Sequence, residues 1–361
     1  RDHPALRLRV IATGMHLDRS RGYSVAEVRR AGLPVDATVP WRADSSPAGT
    51  AAAMGRATAG LVSAYEKVGA DVVLVVGDRV EAFAAAAAAH VAGRCVAHVH
   101  GGDRALGQVD DALRHAITKL AHVHFPATAA SATRLLKLGE DRWRIHRVGS
   151  PGIDGIAADA ASPAAVAAHV GPAPDRRFAL IALHPTTADA RTESARAESL
   201  LGAVIAKVGH AVVVHPNNDP GSDGIAGCWD AAERTDRVGA GPRKVVFHRN
   251  LPRPIWLGLL RDAAVLVGNS SSGIIEAASF GTPVVDVGPR QQGREHGPNV
   301  VNVRHDPAEV RRAVLRFWRA GRPVRFPRRN VYGGAGTGRR IAAVLAELAL
   351  DERMLRKLIT Y

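Results

Sequence analysis

The segment Val265–Glu276, with the sequence VLVGNSSSGIIE, indicates a strand, a turn and a helix in succession. Apolar residues up to Gly268 are typical of a buried strand, and the serines that follow are typical of a helix start. At such a start, free backbone N–H groups and the helix dipole favour an anion, to which the hydroxyls of Ser270 and Ser271 would add donors. Glu276, about one turn later, could accept bonds from two ribose hydroxyls. An ordinary serine-capped helix has the same letters, so the segment alone leaves both interpretations open.

The rest of the chain repeats this alternation of a short apolar run and a helical stretch, which is typical of buried parallel sheet. The predicted strands are Leu8–Thr13, Val72–Gly77, Cys95–His100, Val123–Pro126, Ile145–Val148, Phe178–Leu183, Ala211–His215, Lys244–Phe247, Ala264–Gly268 and Pro283–Val287. The predicted helices are Thr50–Val68, Glu81–Ala92, Val109–Leu120, Ala129–Leu138, Glu193–Val208, Pro254–Arg261, Ser272–Phe280, Pro307–Arg319 and Gly338–Leu348. We therefore predict an α/β fold of two Rossmann-like, doubly wound parallel-sheet domains that face each other across a cleft.

The chain of 361 residues is too long for one ordinary core, and two domains of about 150 to 200 residues fit it better. A stretch rich in Ala, Pro and Gly over residues 150–175 interrupts the alternation and marks the boundary. We predict a first domain over residues 1–168, joined by the C-terminal stretch 336–361, and a nucleotide-binding domain over residues 169–335.

The net charge of +14 suits either a nucleic acid or a small substrate rich in phosphate. The basic residues are scattered and aromatic residues make up only 4%, which argues against a surface for stacking bases. The two cysteines, Cys95 and Cys228, form neither a disulfide framework nor a zinc pattern, so a reduced, cytoplasmic setting is expected. No apolar run is long enough for a membrane span and no signal peptide is visible, so neither a nucleic acid nor a membrane is predicted as a partner.

In the first domain, polar residues follow two predicted strands. Asp78 and Arg79 come after one strand, where a carboxylate either faces a ligand or caps the next helix. His98 and His100 lie two apart on the next strand and so share a face. The pair Gly101-Gly102 would then let the backbone approach a ligand closely, just before Asp103.

The helix after this strand carries a second polar group, which begins at Asp110. At helical spacing one face holds Asp111, Arg114, His115, Thr118 and His122. Acids and imidazoles that converge on one strand end suit general acid–base chemistry. A metal site is the rival interpretation, but the cluster lacks cysteine and any HExxH pair, and no metal is predicted.

In the second domain, three strand ends carry candidate ligand residues. His184 follows the first strand, and Asn217 lies in the segment VHPNNDPG after the next. Arg290 and Arg294 follow a later strand, where a guanidinium could neutralise a diphosphate.

Together these residues resemble the hydrolysing UDP-N-acetylglucosamine 2-epimerases, in order from about Leu6 to Tyr332. The matching segments are Gly77–Arg79, His98–Asp103, Asp110–His122, Gly268–Glu276, Gly281–Pro283 and Gly288–Arg294. The most specific block is RHAITKL within the third of these. The non-hydrolysing branch usually has an HVEAG-like strand end and a Pro-Glu-Glu segment, where this chain has His100 and Asp110-Asp111.

The resemblance implies a GT-B-like fold and a reaction that converts UDP-N-acetylglucosamine, or a related UDP-sugar, to UDP and a free N-acetylmannosamine-type sugar. UDP leaves C1, the C2 proton is removed, and a glycal intermediate is hydrated with inverted stereochemistry at C2. No cofactor is implied, and family members are commonly homodimers or homotetramers. The catalytic residues carried over are Asp78, Asp103, Asp110, Asp111 and His184. The substrate-binding residues are Arg79, His100, Arg114, His115, Asn217, Ser270, Ser271, Glu276, Arg290 and Arg294.

Two departures from the family pattern concern the first domain. Asp103 stands where the family usually has glutamate, and a carboxylate displaced by roughly 1 Å can lose about 10²-fold in rate. The family also opens with a strand, an Arg-containing loop and a helix before the equivalent of Asp2–Leu6, so a first domain without its usual first strand is expected. A non-hydrolysing epimerase, a GT-B glycosyltransferase and a non-catalytic nucleotide-sugar binding protein remain as alternatives.

Overall fold

The computed structural model describes residues 3–19, 23–42, 47–104, 109–171, 178–216, 219–236, 244–318, 324–358 and 360. Its strands are β1 (Ile11–Thr13), β2 (Ala37–Val39), β3 (Val72–Val76), β4 (Cys95–Val99), β5 (Val123–Phe125), β6 (Ala179–Ala182), β7 (His210–Val214), β8 (Lys244–His248), β9 (Val265–Gly268), β10 (Val284–Val287) and β11 (Val300–Val303). Its helices are α1 (Val25–Arg30), α2 (Pro47–Val68), α3 (Val80–Val91), α4 (Val109–Leu120), α5 (Ala129–Lys137), α6 (Ile156–Asp159), α7 (Pro163–Val170), α8 (Ala190–Ile205), α9 (Ser222–Asp236), α10 (Arg253–Asp262), α11 (Ser271–Ile275), α12 (Pro307–Phe317), α13 (Thr337–Ala346) and α14 (Glu352–Leu355).

Two compact units make up the chain. Unit 1 holds Arg1–Arg104, Gln108–Pro151 and Gly336–Tyr361, and unit 2 holds Gly152–Ala335. The units divide at Pro151, earlier than the predicted boundary at residue 168. Helix α7 belongs with unit 2 because it packs on α10, where Gly258 faces the Val166 side chain.

Unit 2 is built on a six-stranded parallel sheet with the order β11-β10-β9-β6-β7-β8. The chain runs outward from β6 on one side and from β9 on the other. The carboxyl ends of β6 and β9 are therefore the topological switch point, where open α/β sheets bind ligands. Helices α8, α9 and α12 cover one face through a core that includes the fully buried Trp229.

Unit 1 contains a three-stranded parallel sheet, β3-β4-β5, and a separate parallel pair, β1-β2. Every residue of β4 is buried, as expected of a central strand with both faces covered. Helices α2 and α3 pack together through small side chains such as Ala57, Ala84 and Ala88, which allow close approach. The α/β class with parallel sheets is thus confirmed in both units.

The C-terminal segment returns to unit 1 and is held there by a buried arginine. Ile341 of α13 and Met354 of α14 pack against residues of β4 and β5. The Arg144 guanidinium donates to the carbonyl oxygens of Met354 and Arg353, each at 2.8 Å. Arg144 is only 2% exposed, so its buried guanidinium needs hydrogen-bond acceptors within the protein. The backbone carbonyls of this segment supply them.

A buried carboxylate, Glu140, holds the same segment from the other side. Its oxygens lie 2.6 Å from Lys357 Nζ, 3.0 Å from Lys119 Nζ and 2.9 Å from His124 Nε2. Burial raises the pKa of Glu140, but the bonds from His124 and Lys357 outweigh it and lower the pKa to about 2. Lys357 Nζ also donates to carbonyl oxygens at the end of α4, those of Thr118 at 2.7 Å and of Ala121 at 2.8 Å.

Two predicted elements differ from the structure. Ile145–Val148 is not a strand, because only Ile145 bridges to His124, and the Val148 carbonyl accepts from the Thr337 and Arg340 side chains instead. The predicted helix Ser272–Phe280 is split into α11 and a 3-10 turn over Ala277–Phe280, which ends where Gly281 adopts a φ of +68°.

Both cysteines are free thiols, Cys95 buried and Cys228 half-buried. Burial raises the pKa of each thiol to about 11. Within the described ranges, none of the helices has the length and apolar character needed to cross a membrane.

Candidate functional site

The turn after β9 lies at the switch point of unit 2 and is fixed by Gly268 and Asn269. Gly268 has a φ of +140°, and a Cβ there would lie 2.0 Å from the Ala182 carbonyl oxygen. The Asn269 side chain is fully buried and bonds both backbone groups of His184. Its Oδ1 accepts from the His184 N–H at 2.7 Å, and its Nδ2 donates to the His184 carbonyl at 2.9 Å. Asn269 therefore joins the ends of β6 and β9 and places His184 at the switch point.

The serines of this turn are partly exposed. Ser270 is the N-cap of α11, and its hydroxyl accepts from the Ser272 N–H at 3.4 Å, which is a weak bond. Ser271 is the first residue of the helix. Helix α11 has only five residues, so its dipole is small and the hydroxyls and N–H groups of the turn are the main donors available to an anion.

Glu276 forms contacts that the sequence motif around it did not predict. One carboxylate oxygen accepts from Arg253 Nη1 at 2.9 Å and the other from Trp256 Nε1 at 3.3 Å. Arg253 is half-exposed and also donates to the Gly152 carbonyl at 2.8 Å. The predicted binding of a ribose by Glu276 stays a prediction, and each carboxylate oxygen has a second lone pair beside its bond to Arg253 or Trp256.

The predicted diphosphate ligands lie on the loop after β10. Arg290 donates to Asp219 at 3.0 Å, and Arg294 is half-buried. Asn217 lies outside the described residues.

Asp286 on β10 was not predicted from the sequence, since a single acid within an apolar run has no motif. It is 2% exposed, and no hydrogen-bond partner lies near its Oδ2. Burial raises the pKa of Asp286 to about 7, against the opposing effect of Arg290 and Arg294. A second residue that was not predicted, Gln291, donates to the Asn269 carbonyl at 2.8 Å.

In unit 1, the predicted acids gather around Arg114, which is 2% exposed. Its guanidinium forms an ion pair with Asp78 after β3 and another with Asp111 on its own helix at 3.1 Å. It also donates to the Asp103 carbonyl oxygen at 2.9 Å. One cation therefore holds residues from three segments, and Asp78 is not a plain helix cap, since Arg79 is the N-cap of α3. The side chain of Asp110 lies outside the described residues.

A second cluster of unit 1 contains His100 and Asp103, which lie in the turn after β4. Asp103 Oδ2 lies 2.9 Å from His100 Nδ1, and Asp103 Oδ1 accepts from the Ser131 hydroxyl at 2.7 Å. His100 Nε2 lies 3.0 Å from the Ser150 hydroxyl. Gly102 permits this packing, because a Cβ there would lie 2.3 Å from the Ser131 carbonyl oxygen. Ser131 and Ser150 were not predicted, since each comes from a segment without a recognisable motif.

The remaining polar residues of unit 1 lie at the edge of these clusters. Arg79 is 55% exposed and pairs with Glu81 at 3.4 Å, and His115 lies 3.6 Å from Asp111. His98 is buried with its Nε2 bonded to the Gly77 carbonyl at 2.8 Å, and burial lowers its pKa to about 3. His98 is thus a neutral residue that links the ends of β3 and β4. Among the described residues, no group of three or more His, Cys, Asp or Glu is arranged to hold a metal ion.

Comparisons with known proteins show the family and the fold of this chain. The family model described as UDP-N-acetylglucosamine 2-epimerase matches residues 1–346. A UDP-N,N'-diacetylbacillosamine 2-epimerase (hydrolyzing) from Legionella pneumophila is 35% identical over 98% of this chain and 92% of its own. A UDP-N-acetylglucosamine 2-epimerase from Neisseria meningitidis is 29% identical over 93% of this chain and 85% of its own. In fold, the chain is similar to a UDP-GlcNAc 2-epimerase from Neisseria meningitidis bound to UDP-GlcNAc, with a TM-score of 0.70, 14% identity and coverage of 94% and 100%.

Proposed function

Because this chain belongs to the UDP-N-acetylglucosamine 2-epimerase family, we propose that it is a hydrolysing 2-epimerase of UDP-linked N-acetylated hexosamines. The observation that carries the proposal is the likeness to the Legionella relative, whose named activity is hydrolysing, together with the acid and imidazole clusters of unit 1. The products are UDP and a free sugar with inverted configuration at C2.

The reaction needs two kinds of groups, and the chain has both. The C2 hydrogen is hardly acidic, so cleavage of the C1–O bond must lead and place positive charge on the sugar ring. Asp78 and Asp111, held by Arg114, supply negative charge that can stabilise such a cation. In unit 2, the hydroxyls of Ser270 and Ser271 and the guanidinium of Arg290 are donors for the departing UDP.

The roles of the other residues follow the same division. Asp103 and Asp110 complete the acid–base group, and His184 contacts the phosphates or assists the leaving group. The remaining substrate ligands are Arg79, His100, Arg114, His115, Asn217, Glu276 and Arg294. The sugar carried by UDP, N-acetylglucosamine or a diacetamido sugar, is the part of the proposal that the test below decides.

A single NMR time course in D₂O tests the proposal. UDP-GlcNAc and UDP-N,N'-diacetylbacillosamine are supplied in parallel, with the GDP-linked forms as a test of the nucleotide. We expect UDP and a free 2-epimerised sugar that carries deuterium at C2, with one of the two sugars preferred. A product that retains its starting C2 hydrogen would contradict the mechanism.

Matched variants separate chemistry from folding. Asp78→Asn should lower turnover by about 10²-fold or more, whereas Asp71→Asn, an exposed aspartate of the same unit, should leave it unchanged.

Release of UDP-ManNAc without UDP would indicate a non-hydrolysing epimerase. UDP release that depends on an added acceptor would indicate a glycosyltransferase, and UDP binding without turnover a binding protein.

We also propose a cytoplasmic location and a homodimer or homotetramer. The two free, weakly acidic thiols, Cys95 buried and Cys228 half-buried, suit a reducing compartment. Light scattering coupled to size-exclusion chromatography decides the assembly, and a monomer at micromolar concentration would contradict it.

A further inference from the structure

Asp286 is a buried acid at the ligand-binding end of the unit 2 sheet. It is 2% exposed, and among the described residues no hydrogen-bond partner lies near its Oδ2. A buried carboxylate without donors is costly in its charged form, so it tends to hold a proton or to serve a function. The burial of Asp286 keeps it out of contact with a substrate, and any effect on a ligand must therefore act through its charge.

The position of Asp286 is set by the register of the sheet. It pairs with Gly268 of β9, the residue that begins the turn after β9. Two residues earlier, Val284 lies on the sheet face that α11 covers, because a Cβ at Gly273 of that helix would lie 2.9 Å from Val284 Cγ1. Alternate residues of a strand share a face. Asp286 therefore lies on the same face as the turn, one step closer to the strand end.

Two guanidiniums that are proposed ligands of the diphosphate also act on Asp286. Arg290 and Arg294 lie on the loop after β10, and their charges oppose the effect of burial on the pKa of Asp286. Gln291 ties this loop to the turn after β9, since its Nε2 donates to the Asn269 carbonyl at 2.8 Å. An ionised Asp286 and a bound diphosphate would therefore share the same two cations.

The other groups that face Asp286 belong to β11 and α11. Its register partner on β11 is Asn302, whose Nδ2 lies 3.0 Å from His296 Nε2. Helix α11 has the sequence SSGII without an ionisable side chain, and Glu276 after it is bonded by Arg253 at 2.9 Å. Helix α12 packs on the opposite face of the sheet. The charge of Asp286 thus depends on burial, on the two arginines and on any anion bound at the turn.

A diphosphate at the turn would change this balance. Register partners lie about 5 Å apart, so phosphates bound by Ser270 and Ser271 would lie within roughly 10 Å of Asp286. At that distance a unit negative charge in a protein raises the pKa of an acid by about one. The phosphates also attract the arginines, which weakens the effect that opposes burial. Both changes favour the protonated form of Asp286, whose pKa in the free protein is already about 7.

We propose that Asp286 takes up a proton from solvent when UDP binds at the turn after β9 and returns it when UDP leaves; this rests on the proposed function. Asp286 sets nucleotide affinity without touching the nucleotide. When protonated, it leaves both arginines to the phosphates. When ionised, it competes for the arginines and repels the phosphates. UDP affinity therefore falls as pH rises through neutrality, and alkaline pH favours release of the product UDP.

The test is calorimetry of UDP binding at pH 7.5 in buffers of different ionisation enthalpy, which gives the number of protons taken up. Wild type should take up about half a proton more than Asp286→Asn, whose amide cannot ionise. This variant should fold, because it removes a buried charge, and its own value subtracts the titration of UDP itself. Glu198→Gln, which removes an exposed acid of the same unit, should match wild type.

The affinities supply a second measurement. Between about pH 6 and about pH 9, the UDP affinity of wild type relative to that of Asp286→Asn should fall about tenfold. Equal proton uptake in the two proteins, or an affinity ratio that is independent of pH, would overturn the proposal. If wild type then still binds UDP and deuterates C2 during turnover, the proposed function stands without it. A wild type that binds no UDP would refute both.

Discussion

Three aspartates of the candidate site lie in contrasting surroundings. Asp78 faces the guanidinium of Arg114, and Asp103 is bonded by an imidazole and a hydroxyl. Asp286 is buried on β10, where burial raises its pKa to about 7. Hydrogen-bond donors therefore surround the first two carboxylates, whereas the third holds its proton up to nearly neutral pH.

Asp286 should make stability fall as pH rises. Because its pKa in the folded chain lies above the ordinary value of 3.8, the folded state binds the extra proton between about pH 4 and pH 7. Its contribution to the free energy of unfolding is therefore lost progressively over that window, by about 4 kcal/mol at most. Asp286→Asn should accordingly raise the urea midpoint at pH 8 and change it little at pH 4.

The matched control for this prediction is Glu198→Gln, an exposed acid of the same unit. Its difference from wild type should not vary with pH. An Asp286→Asn difference that is equally independent of pH would show that the carboxyl of Asp286 is charged in the folded protein throughout.

Residues with a shared motif could be predicted from the sequence, and residues without one could not. Asp78, His100, Asp103, Asp111 and Arg114 lie at strand ends or on one helix face, where spacing alone brings them together. Ser131, Ser150 and Asp286 reach the clusters only through tertiary packing, which spacing does not encode. The partners of Glu276 are a similar case, because Arg253 and Trp256 lie on a different helix.

At the scale of elements, the ends of β6 and β9 form the most tightly specified junction of unit 2. Gly268 leaves no room for a Cβ, and Asn269 bonds both backbone groups of His184. A turn held in this way presents the serines and the imidazole in one fixed arrangement before any ligand arrives. Such preorganisation is what the proposed role of this turn in nucleotide binding requires.

Asn269→Ala should therefore weaken both stability and binding. Removal of the amide takes away both of its hydrogen bonds to the His184 backbone, at about 0.5–1.5 kcal/mol for each. We expect a lower melting temperature and a rise of tenfold or more in the Kd for UDP, measured by calorimetry. Asn302→Ala, at an exposed position of β11, is the control. Unchanged UDP affinity in Asn269→Ala would mean that the junction does not shape the nucleotide site.

The strands were the easier elements to predict, because buried parallel strands are short apolar runs bounded by glycine or polar residues. Strand β11 was missed because only Val300 is fully buried and Asn302 is exposed, so it lacks that pattern. Helix α9 was missed because its Gly224 and Gly227 lower helix propensity. Gly224 is required there, since a Cβ would lie 1.9 Å from the Ala190 carbonyl oxygen.

At the scale of the molecule, the last residues of the chain are part of unit 1. Arg144 and Glu140 are buried, the Lys357 side chain is 11% exposed, and each of these charges has partners across this junction. A buried charge deprived of its partner costs far more than an exposed one. The C-terminal segment is thus expected to unfold together with unit 1 and not to fray independently.

Lys357→Met should lower the free energy of unfolding of unit 1 by about 3–5 kcal/mol at pH 7. In the wild-type chain the pKa of Glu140 lies below the ordinary value, so its stabilising contribution is lost only as pH falls from about 4.5 toward 2. The variant keeps His124 and Lys119 beside Glu140 but loses one of the groups that lower its pKa. Addition of Glu140→Gln to Lys357→Met should recover part of the loss, and Lys137→Met, an exposed lysine, should have little effect. Urea unfolding monitored by tryptophan fluorescence measures all three. Equal effects of Lys357→Met and Lys137→Met would refute the role of the cluster.

The two weakly acidic thiols have a practical consequence for work on this enzyme. With pKa values near 11, Cys95 and Cys228 are almost wholly protonated at neutral pH and react slowly with maleimides. A cysteine introduced at an exposed position, such as Val91→Cys in unit 1 or Arg316→Cys in unit 2, would be modified well before either native one. The wild-type chain is therefore already a suitable background for attaching a fluorophore to each unit, and the distance between the dyes can be followed as UDP is added.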